Sequence, residues 1–130
     1  GRRLLLLVDD IMHSGDSMPL VKPEVPLRDA LLEMTRKGLG LTGIQDEQGA
    51  LVGIFTDGDL RRHIEGLLSH TAGQVMTAGP KKTVPPSMMA SEALALMSDP
   101  APSVTGLFVV ENERPVGILH VHDLLRAGVM

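Results

Sequence analysis

Apolar positions fall at helical spacing twice along the chain. Leu27, Ala30, Leu31 and Met34 stand at i, i+3, i+4 and i+7, and Ala90, Ala93, Leu94 and Met97 repeat the set. That interval lays one apolar stripe along a helix. After each stripe come two short apolar runs around a polar turn. Leu41 to Ile44 and Leu51 to Phe55 flank Asp46-Glu47-Gln48-Gly49, while Gly106 to Val110 and Val116 to Leu119 flank Glu111 to Arg114. Runs of that length bounded by turn residues predict hairpins. Ahead of each stripe, Val21-Lys22-Pro23 and Val84-Pro85-Pro86 predict a short extended lead-in, because proline fixes its own φ and pushes the preceding residue toward β. A closing helix is predicted from near Asp57 through Leu60 to Ile64, and again from near His122 through Leu124 to Ala127. Both stretches spell β-α-β-β-α, and the fold class is α+β.

The two stretches are copies. Asp10-Ile11-Met12 is echoed by Gln74-Val75-Met76, the helical stripes echo each other, and Gly53-Ile54-Phe55 is echoed by Gly117-Ile118-Leu119, at offsets of 64, 63 and 64 residues. An offset that slips by one and recovers predicts a single extra residue in the second copy, between Thr105 and Gly117. The expected organisation is an N-terminal extension with the first motif over 1–66, a connector over 67–80 and the second motif over 81–130. A unit of about 60 residues removes only about 60% of its surface from water. Two such units are therefore expected to pair about a pseudo-twofold axis, leaving related clefts at the seam.

Composition narrows the function classes. The chain has 130 residues and a formal charge of -4, and its aromatic side chains are Phe55 and Phe108 alone. An acidic chain without stacking platforms is a poor partner for nucleic acid. With no cysteine, disulfides, thiolate metal sites and thiol nucleophiles are excluded. Arg2 and Arg3 followed by Leu4 to Val8 imitate a signal peptide, but the apolar run ends after five residues in Asp9 and Asp10. That is too short for a secretory core or a membrane span, so a buried strand or helix turn is expected there. No membrane partner is expected, nothing argues for export, and a cytoplasmic location follows. The start at Gly1, with an element already under way, suggests a piece of a longer protein.

Candidate chemistry concentrates at Thr56-Asp57-Gly58-Asp59, where a strand meets a helix. A helix start offers unpaired N–H groups, a carboxylate accepts hydrogen bonds from both hydroxyls of a ribose diol, and a threonine hydroxyl donates to phosphate. The same Thr-x-x-Asp spacing also fits a capping box that needs no ligand. The sequence leaves both readings open. In the second copy His120 stands at the Thr56 position while Asp123 is kept. Histidine is a poorer cap and a different donor, so the two corners are inequivalent. Either His120 reads a carboxylate or phosphate, or the second site has decayed.

His120 and His122 have the alternate spacing that points two strand side chains the same way, but no acidic cluster completes a ligand set. One cleft-facing and one surface histidine is the preferred reading, and no metal or cofactor is expected. Arg62, with Arg61 beside it, and Arg126 at the matching position suit bidentate contacts to phosphate or carboxylate; solvated helix faces carry such residues too. Gly53 and Gly117 are read as sites of close strand packing, and no phosphate-binding glycine loop is present. Met12, Met76, Met34 and Met97 are read as packing residues. No nucleophile, base and acid set is visible at motif spacing, and no catalytic residue is nominated.

Two β-α-β-β-α copies, each opening with Ile-Met or Val-Met and closing on Gly-hydrophobic-hydrophobic-Thr-x-x-Asp or its His120 variant, resemble a tandem CBS-domain pair, a Bateman module. Gly53 to Arg62, His120 to Gly128 and the Leu4 to Gly15 stretch further resemble the C-terminal half of the sugar isomerases that interconvert ribulose 5-phosphate and arabinose 5-phosphate. The resemblance implies that Thr56 and Asp59 hold a nucleotide, while His120, Asp123, Arg62 and Arg126 stand as the further candidate ligand contacts read from the residues themselves. It implies a regulatory half, with catalysis in an N-terminal sugar isomerase (SIS) domain outside this chain, in the supply of Kdo for lipopolysaccharide. Feedback logic then points to CMP-Kdo as ligand, with an adenylate as the general alternative, and CBS pairs of this kind associate as homodimers. A ligand-free dimerisation module is the competing reading.

Overall fold

The computed structural model describes residues 5–66, 69–80 and 82–129; Arg2, Arg3 and Leu4 of the opening run lie outside the described residues, as do two positions of the expected connector. In chain order the elements are α1 (Val8–Ile11), β1 (Leu20–Val21), α2 (Leu27–Lys37), β2 (Leu41–Gln45), β3 (Leu51–Thr56), α3 (Asp57–Arg62), α4 (Ala72–Val75), β4 (Thr77–Ala78), β5 (Thr83–Val84), α5 (Ala90–Ser98), β6 (Gly106–Glu111), β7 (Arg114–His120) and α6 (Val121–Arg126). Short 3-10 turns occupy Gly15–Ser17 and Ile64–Gly66. Both predicted β-α-β-β-α orders are present, as β1-α2-β2-β3-α3 and β5-α5-β6-β7-α6.

The helices form where the stripes require them. Leu27, Ala30 and Met34 of α2 and Ala90, Ala93 and Met97 of α5 are buried. Acidic Asp29 sits in the first turn of α2 and Arg36 and Lys37 in its last, with the charge signs that suit the helix dipole. The helix stops at Gly38, whose φ of 70° turns the chain left-handed and lets its N–H bond the Met34 carbonyl at 2.9 Å.

The chain divides into two compact units that do not follow sequence order: Met18–Lys81 forms one, and Gly1–Ser17 joins Lys82–Met130 in the other. The segment preceding each copy closes the core of the other. In the first unit Leu27 N–H bonds the His70 carbonyl at 2.8 Å and Ala72 N–H bonds the Val25 carbonyl at 2.8 Å. Ala72 and Val75 are thereby buried with Leu27, Ala30, Met34, Ile44 and Phe55. In the second unit the matching bonds run from Ala90 N–H to the Leu6 carbonyl and from Val8 N–H to the Met88 carbonyl, both 2.8 Å. Val8 is thereby buried with Val84, Ala93, Leu107, Val109, Leu119 and Leu124. Much of the expected connector is thus part of the first unit: Thr71 caps α4, and β4 adds a strand beside β3.

The first unit carries a four-stranded sheet in the order β1-β2-β3-β4 and the second a three-stranded sheet in the order β5-β6-β7. In each, the lead-in strand is parallel to its neighbour and the hairpin antiparallel. His13 bridges Ile118 beside β7 as Thr77 bridges Ile54 beside β3. The close packing read into the glycines has a specific cause. A Cβ at Gly53 would meet Met76 Sδ, with Cγ at 2.8 Å, and a Cβ at Gly117 would meet Met12 Cγ at 3.0 Å.

Register corrects the expected place of the extra residue. Leu41 pairs with Thr56, whereas Gly106 pairs with His120. The first hairpin strands are therefore 65 residues apart and the second 64. Two residues are added before Gly106, in the loop after α5, and one is removed in the second hairpin. That hairpin closes through Asn112 and Glu113, both at positive φ (53° and 67°), as a tight two-residue turn requires. The first needs a longer loop held by Asp46, whose carboxylate accepts the N–H groups of Gln48 and Ala50 at 2.9 Å. Counting offsets showed only the net change.

Candidate functional site

Each unit presents one strand-to-helix corner. In the first, β3 ends at Thr56 and α3 begins at Asp57, so Thr56 and Asp59 face each other across the helix's first turn. The Thr56 hydroxyl accepts the Asp59 N–H at 3.3 Å, and Asp59 Oδ2 accepts the Thr56 N–H at 2.8 Å and the Thr56 hydroxyl at 3.1 Å. The ligand-free reading of Thr-x-x-Asp is therefore realised as a complete capping box. It leaves Oδ1 of Asp59 to Arg62, whose guanidinium donates at 2.5 Å. Asp59 is 4% exposed, while the Arg62 side chain is 66% exposed. A buried carboxylate is thus covered at Oδ1 by one largely exposed arginine.

The second corner keeps the frame and changes the chemistry. Asp123 Oδ2 accepts the His120 N–H at 2.8 Å, and Oδ1 accepts Arg126 at 2.9 Å. His120 does act as a cap: its Nδ1 accepts the His122 N–H at 3.2 Å, one amide earlier than the hydroxyl of Thr56 does. The two imidazoles lie with centroids 4.5 Å apart. Burial and His122 lower the His120 pKa, Asp123 opposes them and Arg126 adds to them. Its ring is thereby held as a neutral acceptor rather than a cation. Burial acts to raise the Asp123 pKa, but hydrogen bonds from His13, the His120 backbone and Arg126 outweigh it, and the net shift is downward.

The second corner also holds a residue that sequence reasoning missed. His13 Nε2 donates to Asp123 Oδ1 at 2.8 Å across 110 positions of sequence. The backbone bridge to Ile118 brings it there. The repeat aligns His13 with Thr77, but it adjoins the first copy in sequence, and only the exchange of the segments preceding each copy carries it to the second. All six predicted residues are thus gathered in two sets of three, Thr56, Asp59 and Arg62 in one unit and His120, Asp123 and Arg126 in the other. Among the described residues no group of three or more His, Cys, Asp or Glu is arranged to hold a metal ion, and no helix is long and apolar enough to cross a membrane.

Residues 8–66 and 72–129 each match the CBS domain. The chain belongs to the CBS domain family. Over its whole length this CBS pair is similar to the arabinose 5-phosphate isomerase KdsD of Pseudomonas aeruginosa, 52% identical over 134 residues, and to that of Escherichia coli, 49% identical over 133. It spans 40% of the length of each. Among solved structures, CBSX2 in complex with AMP is 26% identical with a TM-score of 0.79, covering 95% of this chain and 96% of that one. The CBS pair of MJ0100, solved with 5-methylthioadenosine and S-adenosylmethionine, covers 94% of each chain at a TM-score of 0.80; at 24% identity it speaks for the fold alone.

Proposed function

We propose that this CBS pair is the ligand-sensing regulatory part of an arabinose 5-phosphate isomerase, with the isomerisation carried out by a sugar isomerase domain outside this chain. The similarity of the entire chain to 40% of such isomerases carries this reading. The ligand is a nucleotide or nucleotide-sugar, with CMP-Kdo, the activated end product of the Kdo branch, as candidate and an adenylate as alternative. Similarity to CBSX2, solved with AMP, supports the nucleotide class. So does the first corner, where a buried aspartate is oriented by the Thr56 amide and shielded by an exposed guanidinium. The protein works in the cytoplasm as a homodimer, and exposed Leu32 and Leu125 offer apolar surface for association. To regulate, the ligand must bind two states of the whole enzyme with affinities that differ by about 1 to 3 kcal/mol.

A ligand-free dimerisation module is the second reading, favoured by the complete hydrogen bonding of both aspartates within the chain. Thermal denaturation with CMP-Kdo and with AMP separates the two. A ligand at 100 times its dissociation constant stabilises by about 2.7 kcal/mol. Sensing predicts a shift of that order that weakens in at least one of Asp59→Asn and Asp123→Asn, whereas absence of a shift with either nucleotide favours scaffolding.

A further inference from the structure

We infer that His13 closes the second corner to the ribose diol that the first corner accepts, so that each chain takes one diol-bearing nucleotide, at Asp59. The inference rests on the nucleotide-sensing reading above and assigns its occupancy. Each aspartate accepts three hydrogen bonds, but they are distributed differently. Asp59 gives Oδ2 to the two Thr56 donors and Oδ1 to Arg62 alone. Asp123 gives Oδ2 to the His120 N–H and Oδ1 to both His13 and Arg126. A carboxylate oxygen offers about two lone-pair sites. Oδ1 of Asp59 therefore has one site open and Oδ1 of Asp123 has none, the one open site of Asp123 lying on Oδ2, the oxygen that accepts the His120 amide at the start of α6.

A hydroxyl approaching Oδ1 of Asp123 must displace a donor, and the two donors are anchored differently. Arg126, 73% exposed at its side chain, reaches the carboxylate on a long unbranched chain from α6, as Arg62 does from α3. His13 is pinned at its backbone: its N–H bonds the Ile118 carbonyl at 2.9 Å, and its carbonyl accepts the Ile118 N–H at 2.8 Å. Met12 beside it lies on Gly117, and Val8 of the same segment is in the core. Its imidazole, half-exposed, leaves Asp123 only by changing rotamer, since the backbone that carries it stays in place. Thr77, which holds the same place beside Ile54, makes no hydrogen bond to Asp59 among the described residues, and its short side chain leaves that carboxylate alone.

Calorimetric titration with AMP reads the stoichiometry. The expected result is one site in the unaltered chain, abolished by Asp59→Asn, retained in Asp123→Asn, and absent for the 2′-deoxy nucleotide, which lacks the diol. His13→Ala should raise the count to two, while His13→Gln, which restores an N–H donor, should return it toward one. Thr77→His should weaken the Asp59 site at least tenfold. Two sites in the unaltered chain, one site lost with Asp123 rather than Asp59, or a folded His13→Ala that still binds one AMP overturns the inference and leaves sensing standing. No AMP binding by the unaltered chain or by His13→Ala also overturns it; sensing itself falls only if the CMP-Kdo thermal shift is missing as well.

Discussion

The two corners are built on the same backbone and close on the same aspartate, yet they meet different neighbours. At Asp59 every hydrogen-bond donor comes from α3 or the residue that caps it, so the corner is local and could form with its own strand and helix. At Asp123 one donor is His13, which arrives from the far end of the sequence on a segment that also completes the core. Duplication placed a cap at both corners, but exchange of the segments preceding each copy gave each corner a neighbour chosen by the other copy's sequence. Where that neighbour is threonine, Oδ1 of the carboxylate accepts its arginine alone; where it is histidine, Oδ1 becomes the anchor of a tertiary contact.

The largest effects should come from forcing away the segments that precede each copy. Gly53→Val and Gly117→Val each place side-chain atoms on a methionine, Met76 or Met12, and overpacking of this kind costs about 1 to 3 kcal/mol. Urea unfolding should show both losses. Met12→Ala should partly relieve Gly117→Val and leave Gly53→Val unrelieved. Relief of the wrong partner, or of neither, would break the assignment of each segment to the other copy's unit.

Next in size is removal of either carboxylate. Asp123→Ala and Asp59→Ala each strand buried donors, at about 1 to 3 kcal/mol for an unsatisfied group. The comparison sharpens in amide exchange rather than in total stability. Loss of Asp123 should speed exchange at His13 and Ile118, because it severs the side-chain tie of the leading segment; loss of Asp59 should leave Thr77 and Ile54 protected. Equal loosening in both variants would show that His13 adds nothing to the bridge.

The fold was legible because its information is periodic and doubled. The stripes through Ala30 and Ala93, and the hairpin runs around Gly53 and Gly117, each have one reading that buries apolar surface, and two copies check one another. The corner residues were legible for a related reason, since capping and carboxylate chemistry depend on a spacing of three. What escaped was non-local. No periodicity says that Val8 belongs with Val109 or that Ala72 belongs with Phe55, and an offset count cannot separate two residues gained after α5 from one lost in the β6–β7 turn. His13 was invisible for the same reason: its partner lies across the chain, and its neighbours in sequence pointed to the wrong copy.

The two caps provide a smaller test. Loss of a hydroxyl cap costs about 0.5 to 2 kcal/mol, so Thr56→Ala should lie in that range. His120→Ala should cost less, since its Nδ1 accepts one amide at 3.2 Å and the carboxylate half of the box, Asp123 to the His120 N–H, survives the substitution. A thermal melt of both variants at neutral pH checks the order. His120→Ala proving the more damaging would mean that the ring's packing, not its capping nitrogen, secures α6.

Mild acid should give the smallest effect and should separate the corners without any nucleotide. Burial, His122 and Arg126 hold the His120 pKa below its ordinary 6.5, against the pull of Asp123, so folding favours the neutral ring. A depressed folded pKa means stability that is whole above 6.5 and is lost as pH falls through the lower folded value. Protonation also removes the lone pair that accepts the His122 amide, so the loss should appear first as faster exchange at the start of α6. The carboxylate of Asp123, shifted below its ordinary 3.8 despite the upward push of burial, adds its own loss only in stronger acid, as pH falls through that lower value. Melting temperatures taken from pH 8 to pH 4 should therefore decline in the unaltered chain and decline less in His120→Thr, which gives the second corner the cap of the first. If the two curves run parallel through that window, His120 is not the group that titrates.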